Sequence, residues 1–148
     1  MASIVLAGGG TAGHIEPALA VARVWQSANP KDEISFLGTA QGLENTLIPA
    51  AGFSVSNIPK VRISRKPSPS WLNIPFDLVA SVKACHSLLK GADLLIGFGG
   101  YVSAPAYIAA RILGVPTIIH EANAKPGWAN RLGALFTPYL AVAHGVNA

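Results

Sequence analysis

Short apolar runs rich in β-branched residues alternate along the chain with longer segments in which Ala, Leu and Val recur at helical spacing. The runs predict strands near residues 3–7, 33–38, 53–58, 93–98, 115–120 and 139–143, with helices beginning near Glu16, Gln41, Pro75, Ser103 and Lys125. Pro17, Pro75, Pro105 and Pro126 each stand close to a predicted helix start, where a missing N–H costs least. Strand–helix alternation is the pattern of βαβ units around a parallel sheet. Five crossovers of one hand give an α/β, Rossmann-like doubly wound parallel sheet. The 148 residues suit one domain, residues 1–148, large enough to bury a core.

In such a sheet ligands bind beyond the carboxyl ends of the strands. Strand one runs into Gly8-Gly9-Gly10-Thr11-Ala12-Gly13-His14 and strand two into Gly38-Thr39. Strand four runs into Gly99-Gly100-Tyr101-Val102-Ser103, and strand five into His120-Glu121-Ala122-Asn123. Most glycine clusters and three of the four histidines therefore fall on one rim, the predicted site. One joint breaks the pattern: residues 60–75 are rich in Pro and Ser, basic, and longer than the ~2 to 6 residues usual between such elements.

Composition narrows the function classes. The chain is 51% hydrophobic and 12% charged, which excludes a disordered segment. The lone Cys85 excludes an internal disulfide and a cysteine-rich metal site, and its apolar surroundings suggest an inert buried thiol in a reducing compartment. No run reaches the ~20 apolar residues of a membrane span, and the first residues lead directly into a strand, so a soluble, unexported chain is expected. The net charge of +4 comes without a long basic tract or a legible nucleic-acid module, so no nucleic-acid partner is predicted.

Gly8, Gly10 and Gly13 satisfy G-x-G-x-x-G between a strand and a helix, where backbone N–H groups can cradle a phosphate. A nicotinamide site would place an acidic residue after strand two, and Gly38-Thr39-Ala40-Gln41 offers none. A Walker loop would close on Gly-Lys-Ser/Thr, which is absent. A phosphate ligand is favoured over a dinucleotide, and a bare tight turn is the bland alternative. His14 follows at the helix N-terminus, where the dipole favours the neutral ring and a role as base; a histidine bonded to a backbone carbonyl is the competing reading. The glycine turn ending at Ser103 predicts a second anion-docking point, so that two turns together suit a diphosphate. His120, Glu121 and Asn123 stand where substrate hydroxyls can be bound; an exposed strand-end loop is the alternative, and the spacing does not suit a metal. The long joint sets Lys60, Arg62, Arg65 and Lys66 beside Trp71, Leu72, Ile74 and Phe76. Cations next to an apolar wedge predict a peripheral membrane contact, against a solvated basic loop leading into core residues. Trp25 and Trp128 are expected to pack on the sheet from their helices.

Gly9-Gly10-Thr11-Ala12-Gly13-His14, Leu37-Gly38-Thr39, Gly97-Phe98-Gly99-Gly100-Tyr101-Val102-Ser103 and His120-Glu121-Ala122-Asn123 occur in an order and spacing that resembles the N-terminal half of the MurG-type peptidoglycan glycosyltransferases, glycosyltransferase family 28. The resemblance covers essentially the whole chain. It implies one half of a GT-B two-domain fold and inverting transfer of N-acetylglucosamine from UDP-N-acetylglucosamine (UDP-GlcNAc) to lipid I, an undecaprenyl-pyrophosphate-linked acceptor, giving lipid II. It also implies no metal or other cofactor, and a place on the anionic cytoplasmic face of the membrane. By position, Thr11, Ala12, Gly13 and Asn123 match donor contacts made across the cleft. His14, Tyr101, His120 and Glu121 match the acceptor side, with Gly10, Gly99, Gly100 and Ser103 around the acceptor diphosphate and sugar. His14 and Glu121 are both candidates for the base that deprotonates the attacking 4-hydroxyl. Ala12 and Ala122 depart from the glycine and glutamine that many relatives carry. The chain stops at Gly145-Val146-Asn147-Ala148, before any donor domain, so a fragment inactive alone is expected.

Overall fold

The computed structural model describes residues 1–62, 64 and 66–144. Six parallel strands, β1 (Ser3–Gly8), β2 (Glu33–Gly38), β3 (Ser54–Asn57), β4 (Leu94–Gly99), β5 (Thr117–Glu121) and β6 (Leu140–Val142), form one sheet in the order β3-β2-β1-β4-β5-β6. The strand order reverses between β1 and β4, which makes the gap beyond their carboxyl ends the topological switch point.

The period-two pattern of β1 accounts for the two cores. Ile4 and Leu6 face α1 (Ala12–Ala28) and α2 (Glu44–Ala50), packing with Ile15, Leu19, Phe36, Ile48 and Phe98. Val5 and Ala7 face the other way, onto α3 (Ile74–Leu89) and α4 (Ser103–Leu113), among Cys85, Leu89, Leu95, Tyr107 and Ile119. The last helix, α5 (Trp128–Gly133), packs against α4, β4 and β5. Full burial of Cys85 pushes its thiol pKa up to about 12, the inert state its setting predicted.

Helix starts are where expectation and structure part. Instead of beginning near Glu16, α1 starts at Ala12, because Thr11 is extended (φ −132, ψ 154) and the chain turns helical directly after it; Pro17 is left inside the helix. α2 begins three residues after Gln41, since a turn closed by Gly42 N–H on Thr39 C=O intervenes, and α5 begins at Trp128 rather than Lys125. Between β1 and β4 the register slips: Ala7 pairs with Gly97 but Gly8 with Gly99, leaving Phe98 as an extra residue. Such a bulge re-aims the strand end, and here it lies at the switch point.

Candidate functional site

At the switch point the first glycine loop and the β4–α4 turn meet. Gly100 has φ +84, and a side chain on it would come within 2.5 Å of the Gly9 carbonyl oxygen. Only glycine lets the two turns touch in this way. Beside them opens a cleft of about 190 Å³, lined by Gly9, Gly10, Thr11, His14, Thr39, Gln41, Gly42, Lys60 and the Gly100–Val102 turn. It is large enough for a phosphate or part of a sugar.

His14 occupies the third position of α1, where its own N–H already bonds the Thr11 carbonyl. The Thr11 side chain makes no helix cap; its hydroxyl lies 3.0 Å from His14 Nδ1. In the tautomer whose Nδ1–H donates to Thr11, Nε2 carries the free lone pair. That nitrogen stands over the second turn, 3.2 Å from where a Cβ on Gly99 would fall. The ring is thus oriented through one nitrogen and available through the other, the arrangement a general base requires. Helix geometry leaves the N–H groups of Ala12 and Gly13 without intrahelical acceptors, and both residues are exposed.

The first glycine loop differs from the phosphate cradle predicted at Gly10. Gly10 N–H donates to Oε2 of Glu44 (3.2 Å), while Glu44 Oε1 accepts from Thr39 N–H (2.8 Å) and the Thr39 hydroxyl (3.1 Å). Glu44 is fully buried in the first turn of α2. Gly9, Gly38 and Gly42 all pack on its side chain, and a Cβ at either of the last two would overlap it. These glycines make room for an internal carboxylate, which takes the place an anion would occupy. Sequence reasoning missed Glu44; the signal was an acid amid four glycines of two loops, read only for the glycines.

The β5 end also departs from expectation. Glu121 is buried, and its carboxylate accepts four hydrogen bonds: from Asn123 N–H (2.9 Å) and Nδ2 (3.1 Å), Gly127 N–H (3.3 Å) and Asn130 Nδ2 (2.9 Å). Burial pushes its pKa up, but these hydrogen bonds outweigh it and hold the carboxyl below its ordinary value. In this ligand-free arrangement the Glu121 carboxylate anchors the loop 122–127. Asn130 continues the network: its Oδ1 accepts from the buried Tyr107 hydroxyl at 2.7 Å, and burial raises the pKa of that phenol. Asn130 and Tyr107 had no signal beyond polar atoms on apolar helices. Asn123 is exposed, and with its Nδ2 held by Glu121 its side-chain carbonyl has no partner among the described residues.

Ser103 is a second correction. It is fully buried; its hydroxyl accepts from Gly99 N–H (3.1 Å) and lies 2.8 Å from the Ala7 carbonyl and 2.9 Å from that of Gly99. It ties β4 to β1 and has nothing left for a diphosphate. His120 points to the opposite face from Glu121, its ring 5.3 Å from that of Phe98. His120 Nδ1 is buried without a hydrogen-bond partner among the described residues, which favours the tautomer carrying its proton on Nε2. Tyr101 and Trp128 are both about half exposed with ring centroids 6.5 Å apart, so Trp128 belongs to the rim and not to the sheet packing expected of it. Trp25 does pack on the α1-side core, its indole N–H bonding Asp32 at 2.9 Å.

The long joint is pinned at both ends. Val61 is buried, and the Pro59 carbonyl accepts the Ser81 hydroxyl of α3. Arg62 forms a two-pronged ion pair with Asp77, Nε to Oδ2 and Nη2 to Oδ1 at 3.1 Å each, holding the Asp77 carboxyl below its usual range. The Arg62 side chain remains 72% exposed within this pair. Lys66 is exposed, and Arg65 lies outside the described residues. Trp71, Leu72 and Phe76 are exposed (42%, 78% and 75%) and joined by Val79, while Ile74 is half-buried. The Trp71 indole N–H is fixed on Ser64. No helix among the described residues is long and apolar enough to cross a membrane, and no metal-binding group of His, Cys, Asp or Glu occurs among them.

Comparison with known proteins gives this geometry a lineage. A crystal structure of MurG from Acinetobacter baumannii superposes with a TM-score of 0.82 at 32% identity, over 98% of this chain and 41% of that one. The glycosyltransferase SsfS6 of Streptomyces, in complex with thymidine diphosphate, matches at TM-score 0.64 and 14% identity over 90% of this chain and 42% of its own, a likeness of fold alone. The chain is 49% identical over 145 residues to the UDP-N-acetylglucosamine–N-acetylmuramyl-(pentapeptide) pyrophosphoryl-undecaprenol N-acetylglucosamine transferase of Frankia casuarinae, covering 96% of this chain and 38% of that protein. It is 51% identical over 142 residues to the enzyme of the same name from Acidothermus cellulolyticus, covering 95% and 38%. It thus spans about two fifths of the length of the relatives it matches. Residues 4–145 match the N-terminal domain of glycosyltransferase family 28, and the chain belongs to that family.

Proposed function

We propose that this chain is the acceptor-side half of a UDP-N-acetylglucosamine transferase that glycosylates lipid I to lipid II in peptidoglycan synthesis, and that it is inactive without a C-terminal donor-binding domain. The observation that carries the reading is His14, oriented through Nδ1 by Thr11 at the edge of the switch-point cleft. Its Nε2 takes the proton from the 4-hydroxyl of the acceptor N-acetylmuramyl sugar as that oxygen attacks the anomeric carbon. The bond to UDP breaks with its electrons leaving on the phosphate, and attack from the opposite face inverts the sugar carbon. Thr11, Ala12, Gly13 and the free carbonyl of Asn123 face the donor. Tyr101 and His120 border the acceptor, with His120 Nε2–H as a donor to a hydroxyl.

The exposed Trp71, Leu72, Phe76 and Val79, with Lys66 nearby, support peripheral binding to the anionic cytoplasmic face of the membrane, where a lipid-linked acceptor is found. A second reading, a non-catalytic Rossmann subunit that recruits a separate donor domain to the membrane, draws support from the exposed apolar strip of Leu135, Tyr139, Leu140 and Val142 beside β6.

Turnover separates the two. With this chain joined to the donor domain of a close relative, UDP-N-acetylglucosamine and a lipid I analogue should give product, and His14→Ala should lower kcat by roughly 10²- to 10⁴-fold. A joined, folded protein that transfers nothing favours the recruiting subunit, and a His14→Ala variant of undiminished kcat removes His14 as base.

A further inference from the structure

We propose that the acceptor's diphosphate is held by Lys60 beside the Gly100–Val102 turn, and not by the first glycine loop. This rests on the acceptor-side reading above and names the residue that recognises the charged part of that substrate.

At Gly10 the first loop is closed to anions from within. Gly10 N–H is engaged by the buried Glu44, and a phosphate there would have to displace a carboxylate and face its charge at hydrogen-bonding range. The second turn has no such acid on it. Lys60 is the lysine or arginine that lines the cleft. Its ammonium lies 5.6 Å from the centroid of the Tyr101 ring, and it makes no ion pair among the described residues, whereas Arg62 two positions on is spent on Asp77. A cation held on an aromatic face with no carboxylate partner is poised for an anionic ligand.

Position supports the same assignment. Lys60 lines the cleft that contains His14, and it also lines an adjoining depression with Ser64 and Ser70, next to Trp71, whose indole is fixed on Ser64. A lipid-linked sugar diphosphate presents an apolar chain, a charged linker and a sugar in that order. Apolar segment, Lys60 and His14 follow one another along the surface in the same order.

The test is binding of farnesyl diphosphate to the chain, read by amide chemical shifts and calorimetry, with farnesol and inorganic pyrophosphate as comparison ligands. The expected result is that shifts concentrate at Gly100 to Val102, that Lys60→Met weakens farnesyl diphosphate about tenfold or more, and that Lys60→Arg restores most of it. Farnesol should bind Lys60→Met and the parent alike. The proposal is overturned by unchanged affinity of a folded Lys60→Met, by shifts centred on Gly10 to Gly13, or by no binding to the parent chain. Pyrophosphate binding as tightly as farnesyl diphosphate would overturn the lipid-linked source. In the joined enzyme, Lys60→Met should raise KM for the lipid I analogue more than it lowers kcat. If the parent enzyme turns over and KM is unmoved, this assignment fails while the transferase reading stands; if the parent transfers nothing, the transferase reading itself has failed.

Discussion

Replacing Glu44 by glutamine removes half of the acceptor capacity on which the first glycine loop rests. The carboxylate serves Thr39 N–H and hydroxyl through one oxygen and Gly10 N–H through the other. A glutamine has one carbonyl oxygen, so either orientation of its amide sets an NH₂ against a backbone N–H. With the oxygen kept on Thr39, Gly10 N–H loses its partner in a part-buried setting where water can reach it, at about 1 kcal/mol. The two bonds that remain fall from charge-assisted to neutral, about 1 kcal/mol more. Relief through movement is limited, because Gly9, Gly38 and Gly42 pack on the side chain. The loss of about 2 kcal/mol is a large share of the ~5–15 kcal/mol that stabilises a domain. At a urea m-value of ~2 kcal/mol/M, the unfolding midpoint should drop by about 1 M with m unchanged. Amide exchange at Gly10 should quicken beyond the global change. A midpoint within about 0.3 M of the parent would refute the role given to Glu44, and with it the internal closure of the loop.

Two further outcomes follow from the same geometry. Glu121 has a folded pKa depressed below its ordinary 4.5, so its contribution to stability is fully present above that value and is lost as pH falls through the folded one. Glu121→Gln should therefore destabilise the chain at pH 7 and flatten the loss of stability below about pH 4.5; a parent-like acid transition in the variant would contradict this. Leu72→Ser with Phe76→Ser removes two side chains exposed at 78% and 75%, so folding should be unaffected while binding to anionic vesicles falls roughly 10²- to 10⁴-fold, from about 1.5–3 kcal/mol of apolar burial for each side chain. Equal sedimentation of variant and parent with vesicles would remove the membrane contact.

The middle of the sheet was legible because its signal is redundant: β1, β4 and β5 are apolar runs ending in or following glycine or proline, as strands of a parallel sheet covered on both faces require, whereas the edge strands β3 and β6 are short and largely exposed. Helix starts were less so. At α1 the proline pointed to Glu16, while the extended Thr11 started the helix at Ala12. The gathering of residues on one rim was legible, since the ends of β1, β4 and β5 are set by topology, and the structure brings His14 and Tyr101 together there. The partners of its polar groups were not legible, because they are decided by contacts between elements distant in sequence. Ser103 bonds Ala7, 96 residues away, and Gly10 bonds Glu44, 34 residues away. A motif supplies backbone donors at a place, but a buried side chain from another element can take them first. Gly10 shows the consequence: the G-x-G-x-x-G pattern was present and correctly placed between strand and helix, yet its central N–H faces a carboxylate of the same chain. The remaining capacity for an anion then lies with the ammonium of Lys60 in the cleft and, outside the cleft lining, with the exposed helix-start N–H groups of Ala12 and Gly13.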